Sequence, residues 1–274
     1  MVKVIYPLDV SPEYEKLKAQ FEQFRGEYSE LITRYQELLT TIIPNVAMDY
    51  MLKIGRREHQ LFTLQVKFQQ LKREINLYQA ALNRGERLSQ QQVDKIIRQE
   101  FNEYQQQLRK QEQQIKEAEK RFSCEKMSPQ ASKEIRKLFL ALVKKLHPDL
   151  HPDFSPLANN LWNQVMEAYE QNNLAELKLL TDMTAEMIKN PEIPTAPEDA
   201  IVIFRKKIDK MLCRAQALEE RLQELQKIPP LSYVDLLADA NQVLSKRVEL
   251  EQRTQLLEEQ ILTLQSTLAQ LRGS

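Results

Sequence analysis

Apolar residues in the first part of the chain recur at alternating steps of three and four. The series runs Tyr14, Leu17, Phe21, Phe24, Tyr28 and on through Leu31, Tyr35 and Leu38 to Ile42 without a miss. That spacing predicts a helix with a heptad seam. Ser11 followed by Pro12 supplies a cap and a first-turn proline, and Pro44-Asn45 is expected to end the helix after about 45 Å. A second stripe holds Met51, Ile54, Leu61, Phe68, Leu71, Ile75, Tyr78 and Leu82, closing at Asn83-Arg84-Gly85, where glycine suits a left-handed C-terminal position. Ser89 and Gln92 have capping-box spacing and open a third run through Val93, Ile97, Phe101, Tyr104 and Leu108 to Phe122. Short connections between long amphipathic helices favour antiparallel neighbours.

The pattern changes after residue 127. From 128 to 182 the helices are shorter, the apolar positions denser, and a proline-bearing loop sits in the middle, as in a small globular unit. Asn190 to Pro197 reads as a stiff linker. Beyond it Ile201, Phe204, Ile208, Met211, Ala215, Leu218, Leu222 and Leu225 resume the three-four steps until Pro229-Pro230. Ser232 can cap a last helix whose seam holds Leu257, Ile261, Leu264, Leu268 and Leu271, which makes a second helical hairpin the economical expectation. Gly26 and Gly55 inside helices point to close helix approach or a bend. The only strand candidate is Val2 to Tyr6. The expected organisation is a tail at 1–10, a helical coiled-coil region at 11–126, a small domain at 128–182, a linker at 190–197 and a C-terminal helical hairpin at 198–272.

Composition narrows the function classes. The 274 residues include 4 Gly and 12 Pro, which disfavours glycine loops that cradle phosphate. Lys+Arg 39 balances Asp+Glu 39, so nucleic-acid binding through overall charge is not expected. Cys124 and Cys213 form no CxxC unit, so no disulfide framework or zinc site is expected and the cytoplasm is the expected location. The N-terminus does not read as a signal peptide, and no run suits a membrane span. No nucleophile pairing or carboxylate constellation suggests an enzyme, and no cofactor is expected.

The informative text is Glu134 to Asp149, then Ala158 to Glu170. Ser128-Pro129 start the first helix, which buries Ile135, Leu138, Phe139, Leu142 and Leu146; Pro148 prevents its continuation. The second buries Leu161, Trp162, Val165, Ala168 and Tyr169. Residues 133–147 carry five basic groups, Lys133, Arg136, Lys137, Lys144 and Lys145, against Glu134 alone. Residues 157–180 carry Lys178 against Glu167, Glu170 and Glu176. This polarity suits electrostatic steering toward an acidic partner.

Residues 128–180 resemble the J domain of the DnaJ co-chaperone family. The resemblance rests on His147-Pro148-Asp149 directly after a lysine-bearing helix, on the opening Glu134, Ile135, Lys137, Phe139, and on Trp162, Val165, Ala168, Tyr169 in the following helix. Together with the heptad seams on either side, it gives an expected all-α fold in which long antiparallel coiled-coil helices flank a small J-domain-like hairpin. It further implies that the chain stimulates ATP hydrolysis by a DnaK-type chaperone. Asp149 would pair with a partner arginine, His147 and Pro148 would shape the loop, and Arg136, Lys137, Lys144 and Lys145 would offer the docking face. The coiled coils would then bind a client or scaffold, and a second copy of the chain could also satisfy their seams. The family's short first helix is not visible; Arg121 to Met127 stands there, with Phe122 and Met127 as candidates to supply its packing. Leu140 and Ala141 occupy positions often basic in the family, and no glycine/phenylalanine-rich or zinc-binding region follows. A second tripeptide, His151-Pro152-Asp153, is out of register with the helix. Its histidine and aspartate could join His147 and Asp149 around a metal, but the prolines prevent one continuous helix across them and no metal is assigned. The alternative reading is a structural coiled-coil interaction protein with a non-activating J-like hairpin.

Overall fold

A heptad seam does not state the direction of its partner, and this is where the fold departs most from expectation. The structure, a computed structural model, describes residues 12–123, 128–151, 156–185 and 197–273. The Val2 to Tyr6 strand, the Ser11 cap, Cys124, Met127, Pro152, Asp153 and most of the 190–197 linker lie outside them. The fold is all-α, with no strand among the described residues. Its helices are α1 (Pro12–Glu37), α2 (Ile43–Tyr50), α3 (Arg56–Asn83), α4 (Gln90–Glu100), α5 (Asn102–Ser123), α6 (Pro129–Leu146), α7 (Pro156–Glu170), α8 (Leu174–Ala185), α9 (Pro197–Lys227), α10 (Val234–Ala238) and α11 (Ala240–Gly273).

The chain divides into two compact units, one of residues 1–43 and 125–228, the other of residues 44–124 and 229–274. The segmentation expected from the apolar pattern and the prolines is therefore redrawn. The 11–126 region is shared between the units, and the two helices expected to form the 198–272 hairpin belong to different units, α9 packing on α1 and α11 on α3.

In the first unit α1 and α9 run parallel. Tyr14 and Phe21 both pack on Phe204, at centroid distances of 5.7 and 5.2 Å, and farther along the Arg221 guanidinium lies 5.8 Å from the Tyr35 ring centre. In the second unit α3 and α11 are also parallel. Arg247 donates to the Lys53 carbonyl just before α3, while Arg272 pairs with Glu74 and covers Tyr78 near the far end. The antiparallel arrangement expected for the long pairs is corrected here. Partners so far apart in sequence are under no constraint from a short loop, so the seam alone selects the pairing. Where the connection is short, the antiparallel expectation holds: Arg56 meets Glu119, His59 meets Gln111 and Arg73 meets Glu100, so α3 runs against α4 and α5.

Pro44 does not stop the first helix. Residues 38–42 form a π-helical turn in which the Ile43 N–H reaches the Leu38 carbonyl five residues back. Widening the turn accommodates the proline, which lacks an N–H and would clash with the carbonyl four residues back in an α-helix. A second π turn, Met51–Gly55, follows. A side chain at Gly55 would meet Met51 Sδ at 2.7 Å, within its own helix, whereas Gly26 has open space around it. Neither glycine marks a close approach of two helices.

Gly85 has φ +68°, and the Ser89–Gln92 capping box is present with both of its bonds. Ser232 does not cap the last helix. A short 3-10 turn and α10 intervene, and the Asp239 carboxylate accepts from the Asn241 and Gln242 N–H groups instead. The α11 seam packs as its spacing predicts, with Ile261 and Leu268 buried against Leu71 and Ile75.

The core of the first unit joins α6, α7, α8, α1 and α9. Ile135, Phe139, Leu142 and Leu146 from α6 and Trp162, Val165, Ala168 and Tyr169 from α7 are all buried in one cluster, together with Leu177 and Leu180 of α8. His147, after the end of α6, meets Trp162 early in α7, while Phe139 farther back in α6 stacks on Tyr169 near the end of α7. The two helices therefore pack antiparallel. The packing looked for from Phe122 comes from elsewhere: Phe122 is exposed, and Tyr28 and Ile32 of α1 enter this core. The α1 seam meets α9 as well as α6, which the linear pattern did not reveal.

Candidate functional site

The site is built from the two ends of α6. At the start, the Ser128 hydroxyl accepts from the Ala131 N–H at 3.2 Å and Pro129 occupies the first turn. Ser128→Ala is expected to lower the stability of this unit by about 1 kcal/mol, the usual worth of an N-cap, measurable as a shift in the urea midpoint of Trp162 fluorescence. At the other end, His147 donates its N–H to the Val143 carbonyl, the last helical bond, and then turns extended at φ −64°, ψ 128°. Pro148 forces that exit, because the residue before a proline is driven out of the helical region.

His147 then organises the loop. Its carbonyl accepts from the Leu150 and His151 N–H groups, and its Nδ1 accepts from the Asp149 N–H at 3.1 Å. An Nδ1 that accepts places the neutral ring's proton on Nε2. The ring stands edge-on to Trp162 with centroids 4.9 Å apart. Burial pushes its pKa down to about 4, helped by the nearby Arg214 and His151 charges and opposed by the Asp149 carboxylate. His147 is neutral at ordinary pH and serves as a strut. Pro148 is exposed at the tip.

Both carboxylate oxygens of Asp149 have a partner. Oδ2 accepts from the Tyr28 hydroxyl at 2.7 Å, Oδ1 lies 2.8 Å from Arg214 Nη1, and the same nitrogen donates to the Asp149 carbonyl at 3.0 Å. Tyr28 is buried, and burial together with the neighbouring carboxylate raises its pKa well above the ordinary phenol value, so it remains a donor. Arg25 of α1 adds a second tether, donating to the Lys144 carbonyl at 2.8 Å with His151 Nε2 at 3.1 Å from the same guanidinium nitrogen.

The basic residues of α6 fall into two groups. Arg136 faces α1 and is paired with Glu30 and Glu37 at 3.0 and 3.3 Å. Lys133, Lys137 and Lys144 lie exposed on one helical stripe, with Lys145 half-buried beside it; none forms an ion pair among the described residues. Leu140 and Ala141 sit on that stripe. The side chains expected to act together are thus separated: the lysines face outward, while Arg136 and Asp149 are held by α1 and α9.

Sequence reasoning did not identify Tyr28, Arg214 and Arg25 as parts of this site. Tyr28 stood in an apolar seam, where its hydroxyl was the one signal, since a buried tyrosine needs a polar partner. Arg214 lies between Met211 and Ala215 on α9 and carried no signal at all.

Among the described residues, no three His, Cys, Asp or Glu side chains are grouped so as to hold a metal ion, and no helix is long and apolar enough to cross a membrane. Comparison with protein-family models, with curated proteins and with solved structures yields no match. The functional reading therefore rests on the residues and their geometry.

Proposed function

We propose that the chain is a J-domain co-chaperone, which stimulates ATP hydrolysis by a DnaK-type chaperone through His147-Pro148-Asp149 and uses its paired long helices to hold a client or scaffold. The observation that carries this reading is the tripeptide's place. It forms the exit of α6, with the histidine ring seated on Trp162 and bonded back to the Asp149 N–H. The aspartate stands just past the end of α6, the helix that bears the Lys133, Lys137, Lys144 stripe. The stripe would attract an acidic surface and raise the encounter rate, and the carboxylate would then accept a partner guanidinium through charge-assisted bonds. No bond is made or broken by this chain, so it is not read as an enzyme.

The test is steady-state ATP hydrolysis by the host's DnaK-type chaperone with the wild type, His147→Gln and Asp149→Asn. Stimulation by the wild type, and its loss to the unstimulated rate in both variants with circular dichroism unchanged, is the expected result. A second reading has its own support, because the Asp149 carboxylate is already occupied by Tyr28 and Arg214. It takes the hairpin as a packing unit in a structural interaction protein. Tolerance of Asp149→Asn, with no stimulation by any variant across every such chaperone of the host, would favour it.

A further inference from the structure

The lysine stripe of α6 is open while the aspartate beside it is taken, and taken by an arginine. We infer that Arg214 is an internal competitor for the partner's arginine, so that α9 holds the loop in a self-occupied state that a chaperone must displace. This rests on the co-chaperone reading and adds its regulation.

The geometry supports an exchange of like for like. One nitrogen of Arg214 binds both the Asp149 carboxylate and the Asp149 carbonyl, at 2.8 and 3.0 Å. An incoming guanidinium would be offered the same two acceptors. Tyr28, buried in the core, keeps Oδ2 at 2.7 Å and fixes the carboxylate whichever cation occupies Oδ1. Swapping one arginine for another never leaves Asp149 as an unpaired half-buried charge, which would be the costly intermediate.

The competitor is well placed and also displaceable. Met211 is buried in the core and Ala215 packs against it, so the core anchors the turn of α9 that carries Arg214 beside the loop. The Arg214 and Asp149 side chains nevertheless remain 33% and 38% exposed. An ion pair that solvent reaches is weak enough to exchange. The open lysine stripe permits encounter first, and exchange of the arginines follows without α9 leaving the core.

The experiment is a titration of the host's DnaK-type ATPase with full-length wild type, Arg214→Ala, Arg214→Gln and the double variant Arg214→Ala/Asp149→Asn. Circular dichroism and Trp162 fluorescence check folding, and Arg214→Gln replaces the alanine variant if that one does not fold. Freeing a site that is self-occupied most of the time should lower the half-stimulating concentration by about fivefold. The double variant should stimulate nothing. A silent wild type beside an active Arg214 variant would support the inference more strongly still. An active wild type whose Arg214 variants need the same or more protein for half-stimulation overturns the competitor role and leaves the co-chaperone reading standing. Silence of the wild type and the folded Arg214 variants alike removes the co-chaperone reading, and the inference with it.

Discussion

Replacing Phe139 with alanine is expected to destabilise the first unit by about 4 kcal/mol, in the range found for removal of a buried phenylalanine. Its ring is fully buried, stacked on Tyr169 at 3.8 Å and tilted against Trp162 at 6.0 Å. Truncation removes the transfer free energy of the ring, leaves a cavity between α6 and α7, and breaks two aromatic contacts together. Domains of ordinary stability have only about 5–15 kcal/mol in hand, so this one change would bring the unit close to unfolding. Trp162 is the chain's single tryptophan and lies in the same cluster, so its fluorescence during urea unfolding of the full chain reports on this core. A midpoint shift of about 2 M is expected for an ordinary urea dependence. An unchanged midpoint would mean that α6 and α7 are not packed through this ring.

Acidification should weaken the same unit, with His147 as a principal cause. Its folded pKa is about 4 because burial penalises the charged ring, whereas an unfolded histidine titrates near 6.5. Between those values the unfolded chain binds a proton that the folded chain refuses. Stability therefore falls as pH drops through that window and is unaffected by this ring above it. The full effect is about 3 kcal/mol from this ring. Burial lowers the His151 pKa as well, which adds an effect of the same sign. The groups near the His147 ring are Asp149, Arg214 and His151, and all three remain in His147→Gln. Urea midpoints of wild type and His147→Gln at pH 7 and at pH 4 isolate the contribution. The wild type should lose about 3 kcal/mol more than the variant. Parallel losses would mean that the imidazole is solvated rather than seated on Trp162.

These two tests address the region where sequence and structure agree best. Density of apolar residues on two short helices was enough to place Ile135, Phe139, Trp162 and Tyr169 in one core, because i, i+3, i+4 spacing leaves only one face to bury. Local chemistry also carried through: Ser128, Ser89 and Gly85 act within a few residues of themselves, and Pro148 ends α6 by its own stereochemistry. Direction and partnership of the long helices were not legible. The seam of α1 looks the same whether its partner is the next helix or one far along the chain. Pro44 misled for a related reason, since a π turn that absorbs a proline has no signature in the hydrophobic pattern. The polar half of the site was hidden for the same cause: Asp149 could be recognised, but Arg214 reaches it only after α9 has chosen α1.

The parallel pairing of α1 with α9 bears on how the protein is made. Glu13 meets Arg205, a residue 192 positions later in the chain. While the ribosome is still synthesising the middle of the protein, the α1 seam is already outside and has lost the option of a finished partner. Of the elements made before α9, α6 packs directly on α1 and can cover Tyr28 and Ile32 in the meantime. At ordinary elongation rates of about 5–20 residues per second, that interval lasts on the order of ten seconds or more. Contacts closed over such separations also slow folding in general. The nascent chain thus passes through a stage with an open apolar stripe, and its yield in a cell should depend on what shields that stripe before residue 204 is added.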